Sequence, residues 1–280
     1  MLKKLFLDQI QRKHVQGIKI FLDKNKNFDI NQINKNKPLY SYFDLKEEVT
    51  IDIIKVLLEY GFDLSAENMN DNSTLFQDVC WNYNSKLINF LIDKIDINQY
   101  IPSGVTCVEI AIYTQNIELL KLLHKKGADI KNTYHGSCRT TIGSCVERLN
   151  NSEKQIEIID YLINNGVNID IPNRNNQSPL YSSIIIGKIE LAYLLINRVQ
   201  DFSIIRHQGH TLLHAVLLYS KLSRSSVNIK LIKKLINNGV DKSVKNFQNQ
   251  TALEMYNEVL LEKEDDLFKR KIVQELLNYY

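Results

Sequence analysis

Between Ser103 and Asn132 the hydrophobic pattern switches twice between apolar runs at helical spacing and short polar interruptions. Val108–Thr114 predicts one short helix. Ile117–His124 predicts a second, whose Leu119, Leu120, Leu122 and Leu123 form an apolar face that leaves Lys121 and Lys125 outward. Gln115-Asn116 supplies the turn between them, and Gly127 stops the second helix as a residue free to take positive φ. Helices of two or three turns fall below the roughly 12–15 residues at which an isolated helix is even marginal in water. The pair must therefore bury its apolar faces against neighbours.

The same pattern returns along the chain. An apolar residue that opens the first helix of each unit recurs at Leu39, Leu75, Val108, Ile142, Leu180, Leu213 and Leu253, at intervals of 36, 33, 34, 38, 33 and 40 residues. The end of the second helix reads Val56–Leu64, Lys121–Ile130, Tyr161–Ile169 and Lys234–Lys242, each with a glycine near its close. A period in this range is the mark of a repeat architecture, in which each unit buries its apolar face only by stacking on the next.

The openings Lys37-Pro38-Leu39-Tyr40, Ser73-Thr74-Leu75-Phe76, Thr106-Cys107-Val108-Glu109, Thr140-Thr141-Ile142-Gly143, Ser178-Pro179-Leu180-Tyr181, Thr211-Leu212-Leu213-His214 and Thr251-Ala252-Leu253-Glu254 resemble the TPLHxA opening of ankyrin repeats, a family whose unit is about 33 residues. The small Ala of that pattern is kept only as Ala111, with Asp78, Cys145, Ser183, Val216 and Tyr256 in its slot elsewhere. The resemblance implies a mainly α fold, an ankyrin-type solenoid of stacked helix pairs joined by β-turn or hairpin-like loops. It covers nearly the whole chain, as a single array over 1–280. Residues 1–33 form the N-terminal cap; units follow at 34–66, 67–99, 100–132, 133–171, 172–205 and 206–245, and 246–280 is the C-terminal capping repeat. Polar insertions at Asp44–Thr50, Asn150–Lys154 and Tyr219–Val227 fall between the two helices of their units, and Glu258–Lys271 reads as lengthened helix.

Charge and composition exclude more than they assign. The formal charge of +3 demands no nucleic acid, although residues 1–37 hold nine Lys or Arg against three Asp. No run approaches 18 apolar residues, and charge enters too early after Met1 for a cleavable leader, so no membrane partner is expected and the chain reads as intracellular, in its source cell or in a host. Four unpaired cysteines, at 80, 107, 138 and 145, fit that reducing setting. Abundant Asn, Lys and Ile suggest an AT-rich genome, such as that of a large DNA virus or an intracellular bacterium.

Candidate chemistry is sparse. The histidines are scattered, and His214 stands where the ankyrin pattern often has a histidine that donates to loop backbone. No GxSxG, HExxH, P-loop or GxGxxG pattern occurs, so no catalytic residue and no cofactor is expected. His135, Cys138 and Cys145 do not have the spacing of a zinc module, and no metal is expected; Glu262, Glu264, Asp265 and Asp266 read as a solvated helix face. The resemblance instead implies binding of another protein by a monomer, through projecting loops and the exposed, concave face of the first helices. Met69, Tyr100, Tyr134, Arg174, His207 and Phe247 fall at or near loop tips and are the candidate contacts. An alternative from the same resemblance is an effector or adaptor that recruits a host protein to a ubiquitin ligase or similar machine.

Overall fold

The computed structural model describes residues 1–33, 38–68, 72–99, 105–132, 140–150, 153–202, 207–223, 228–260 and 267–278. Its contacts cluster into two compact units, Met1–Ile130 and Lys131–Tyr280.

The first unit opens with two antiparallel helices, α1 (Leu2–Gln11) and α2 (Val15–Lys24). Their apolar sides close on a triangle of rings in which Phe6, Phe21 and Phe28 lie 5.1–5.2 Å apart, centroid to centroid. The helices approach so closely at Gly17 that an added β-carbon there would lie 2.1 Å from Gln9 Oε1. α3 (Val49–Glu59) packs on α2 and on α5 (Ser85–Leu91), the partner of α4 (Leu75–Asn82). The pair α6 (Cys107–Tyr113) and α7 (Ile117–Lys125) follows, with α6 against α4. Leu119, Leu120 and Leu123 of α7 are fully buried, as the apolar face of that segment requires. Each such side chain contributes about 1.5–3 kcal/mol before ordering entropy is subtracted.

In the second unit, first helices α8 (Thr141–Arg148), α10 (Pro179–Ile185), α12 (Leu212–Ser223) and α14 (Ala252–Leu260) form a ladder in which each packs on the next. Each is backed by a second helix: α9 (Glu153–Asn164), α11 (Ile189–Ile196), α13 (Ile229–Asn237) and α15 (Leu267–Asn278).

Four local features differ from the sequence reading. The opening at Leu39 forms only one 3-10 turn, Leu39–Tyr42, because Phe43 leaves in an extended conformation and packs its ring 5.9 Å from that of Phe62. In the next unit the helix is capped by Thr74, so the pattern there runs Thr74-Leu75-Phe76-Gln77, one residue later than expected. Val79, fully buried, then fills the small-residue slot in place of the half-exposed Asp78. Residues 219–223, expected as polar insertion, continue α12. That extra length sets the Tyr219 ring against Gly187, where a β-carbon would lie 2.4 Å from its hydroxyl. The stretch expected as lengthened helix instead holds the end of α14 and the start of α15, which pack on each other.

The loops before three first helices share one construction. Asn173 and Asn246 each accept backbone N–H groups two and four residues on at 2.9–3.0 Å through Oδ1. Their own N–H groups donate to Gln177 and Gln250 carbonyls at 2.8 Å, as that of Asn68 does to Ser73. Asn72, Asn176 and Asn249 take positive φ at 56–59°, a conformation Asn tolerates better than most side chains. Isolated antiparallel bridges pair Glu67 with Thr74 and Asn132 with Thr140.

Candidate partner-binding surface

The first helices are fixed at their starts by a repeated cap. Thr74, Thr106, Thr140, Ser178 and Thr251 each accept, through the side-chain oxygen, the N–H of the residue three positions on at 3.2–3.4 Å. The side chain at that third position does a second job. In α12, His214 Nδ1 accepts the Thr211 N–H at 3.2 Å, and its Nε2–H then donates to the Gln250 carbonyl at 3.0 Å, the residue just before the next cap. Gln77 repeats both bonds: Oε1 accepts the Thr74 N–H at 2.9 Å, and Nε2 donates to the Val105 carbonyl at 3.1 Å. Tyr40 reaches the equivalent carbonyl of Ser73 with its hydroxyl at 2.5 Å. Burial holds the His214 pKa below its ordinary 6.5, against the Gln250 carbonyl, which favours the charged form. His214 is therefore a neutral structural imidazole, in the role the sequence assigned to it.

With their starts fixed, α4 and α6 present the same helical position side by side. Trp81 and Tyr113 each stand seven residues past their caps, and their ring centroids lie 6.0 Å apart. Trp81 is 48% exposed and Tyr113 half-buried. Two residues after Trp81, Tyr83 caps α4 at φ 48°, ψ 55° and is 42% exposed. A bulky side chain in this left-handed conformation costs about 1–2 kcal/mol. At the corresponding turns Gly187 and Gln115 also take positive φ. Neither Trp81 nor Tyr83 is among the six loop-tip candidates; the recurrence of an aromatic at one phase of successive units is the signal in the sequence that marks this face.

Beside this face lies an open cavity of about 570 Å³, lined in part by Lys13, Tyr42, Phe43, Asp44, Leu45 and Asn82. Lys13 pairs with Glu47 at 2.5 Å and Asp44 at 3.3 Å, which hold its pKa above the ordinary lysine value. Glu48 pairs with Lys86, and Asn84 Nδ2 donates to the Leu45 carbonyl at 2.9 Å. Of the expected insertion Asp44–Thr50, Val49 and Thr50 belong to α3, and the remaining 44–48 segment is thus fastened on both sides.

Of the loop-tip candidates, Arg174 and Phe247 are exposed on equivalent turns of units separated by one repeat. Phe247 is 82% exposed, yet its N–H donates to the Gln208 carbonyl at 2.9 Å, and its ring sits over Gly209. His207 opens a tight turn, His207–Gly209, in which Gln208 takes positive φ at 59°, but its side chain, like Met69, Tyr100 and Tyr134, lies outside the described residues. So do His135, Cys138 and the acidic residues 262–266. Among the described residues no three His, Cys, Asp or Glu side chains gather as a metal site, and no helix is long and apolar enough to cross a membrane.

A family model described as ankyrin repeats in many copies matches residues 152–196. Alpha-latrotoxin-Lg1a of Latrodectus geometricus is 27% identical over 107 residues, 37% of this chain and 7% of that protein. A putative ankyrin repeat protein of Acanthamoeba polyphaga mimivirus is 24% identical over 195 residues, 64% of this chain and 26% of that protein. The matches thus span about a quarter or less of the length of these curated relatives. Among solved structures, the human ASB11 ankyrin repeat domain is 19% identical with a TM-score of 0.55, covering 76% of this chain and 93% of its own. The ankyrin repeat domain of Bcl-3, a member of the IkappaB family, is 15% identical with a TM-score of 0.60, covering 96% and 97%. An ankyrin repeat domain from Acinetobacter baumannii is 16% identical with a TM-score of 0.58, covering 72% and 95%. The likeness to these structures is one of fold.

Proposed function

We propose, from the premise that this is an ankyrin-repeat protein, that it is a non-catalytic scaffold whose repeats form one array over 1–280 and bind a partner protein. Ankyrin repeats are protein-interaction modules, and the partner would rest on the exposed face of the first helices and on the loop tips. The observation that carries this reading is the Trp81–Tyr113 pair, two aromatic rings side by side on successive first helices, with Tyr83 exposed two residues after Trp81. Aromatic residues dominate interface energies because they bury large, rigid areas at little entropic cost. Arg174 and Phe247 extend the reading to the loops, with Met69, Tyr100, Tyr134 and His207 as further contacts.

The test is affinity purification with quantitative mass spectrometry, run in parallel on the wild-type chain and a Trp81→Ala/Tyr113→Ala variant. The expected result is a partner recovered by the first and reduced at least about tenfold with the second, the loss expected of hot-spot truncation, while the circular-dichroism spectra agree. Equal recovery by both would remove the first-helix face from the reading. A second variant, Arg174→Ala/Phe247→Ala, tests the loops in the same way.

A further inference from the structure

We infer that Cys80 and Cys107 are a site of oxidative modification, at which a hydroperoxide joins the two thiols in a disulfide linking the first helices of consecutive repeats. Cys80 lies in the last turn of α4 and Cys107 is the first residue of α6, and these helices pack on each other. One turn before Cys80, on the same face of α4, Gln77 donates to the carbonyl of Val105, two residues before Cys107. That bond fixes Val105, at the entry to α6, against the helix that carries Cys80. Both cysteines are reduced and buried, at 0% and 2% exposure. Contact with Cys107, then burial, push the Cys80 thiol well above its ordinary pKa. Cys80 is therefore held as a thiol facing its neighbour.

Access separates the two. A cavity of about 490 Å³, lined by Thr74, Phe76, Gln77, Lys94 and Gln99 among others, opens on Cys107, while Cys80 does not line it. A small peroxide reaching the cavity meets Cys107 first. The Cys107 sulfur attacks one peroxide oxygen, the O–O bond breaks, and the departing hydroxide takes the thiol proton and leaves as water; Cys107 is then a sulfenic acid. The Cys80 sulfur attacks the Cys107 sulfur, the S–O bond breaks, and the departing hydroxide takes the Cys80 proton as a second water. Two thiols have lost two electrons and one peroxide has gained them.

The chain carries its own reporter, because its one tryptophan, Trp81, is the residue after Cys80. The experiment treats the full chain with hydrogen peroxide, alkylates free thiols in denaturant, and maps tryptic peptides without reduction. The expected result is a Cys80–Cys107 linked peptide lacking two hydrogens, with Trp81 fluorescence quenched in step, and both changes reversed by dithiothreitol. In Cys80→Ser, dimedone should label Cys107 and the quench should vanish. Should that variant fail to fold, the wild-type peptide map decides alone. Cys80 and Cys107 both remaining alkylatable after peroxide, or Cys107 linked instead to Cys138 or to a second chain, overturns the site.

Discussion

At the scale of single residues, the chain solves one problem with different side chains. The carbonyl that precedes each cap must be satisfied in a tightly packed place, and Tyr40, Gln77 and His214 each donate to it from the previous unit. Histidine and glutamine are equivalent here because both pair an acceptor with a donor on a short planar group. His214→Gln should therefore cost less than His214→Ala, which takes the acceptor from the Thr211 N–H, leaves the Gln250 carbonyl with the Asn246 N–H alone and opens a cavity, at about 2–4 kcal/mol. Urea denaturation compares the two. The depressed His214 pKa also has a sign. Unfolded imidazole takes its proton near 6.5, whereas the folded one resists until lower pH, so the unfolded state binds more protons between the two values. This contribution is present above about pH 6.5 and is lost as pH falls through the folded value. The urea midpoint should drop between pH 7.5 and 5.5, and in His214→Gln that part of the drop should disappear. The role of His214 was legible in the sequence, since the residue fits its slot. That of Gln77 was not: Ser73 and Thr74 can both cap a helix, Leu75 and Phe76 are both apolar, and only the bond from Gln77 to Val105 settles which pair is in register.

Among elements, the turns and insertions carry more of the individuality than the helices. Asn84, Asn116 and Asn228 cap second helices through their side-chain oxygens, at 2.9–3.1 Å from the receiving N–H. Asn84 also holds the 44–48 insertion through Leu45. Asn84→Ala removes a cap and a strap bond together and should cost about 1–2 kcal/mol. Lys13→Ala, which removes only solvent-screened pairs, should shift the urea midpoint less, and less again in high salt. Where the cap Asn is replaced by Lys188, the side chain turns back, and its ammonium donates to the Val146 and Leu149 carbonyls at the end of α8. The turn after α4 gives a sharper test. Tyr83→Gly relieves a left-handed tyrosine and should stabilise the free chain by up to about 1 kcal/mol. If the ring belongs to the partner surface, the same change should weaken partner recovery. Greater stability with undiminished binding would assign Tyr83 no part in recognition. The helices themselves were legible because short apolar faces repeat in phase. The 3-10 turn at Leu39 was not, because it depends on Phe43 finding Phe62 nineteen positions away.

For the whole molecule, the repeat period fixed the fold class from sequence alone, since no short helix pair in it can stand without neighbours. The proposed partner surface was less legible because exposure depends on which side of a helix packs. The loops offered six candidates by position, while the exposed Trp81 beside Tyr113 appeared only once two helices were set side by side. A chain whose units contact mainly their neighbours has stability that is approximately a sum of local terms. Leu57 is fully buried in α3, which packs on α2 and α5. Leu57→Ala should cost about 2–5 kcal/mol, but not evenly. Hydrogen exchange followed by mass spectrometry should show the largest loss of protection in α2, α3 and α5, a smaller loss in α6 and α7, and little change across residues 141–278. A uniform loss along the chain would mean that the molecule opens all at once, and local cohesion between neighbouring repeats would then be the wrong account of what holds it together.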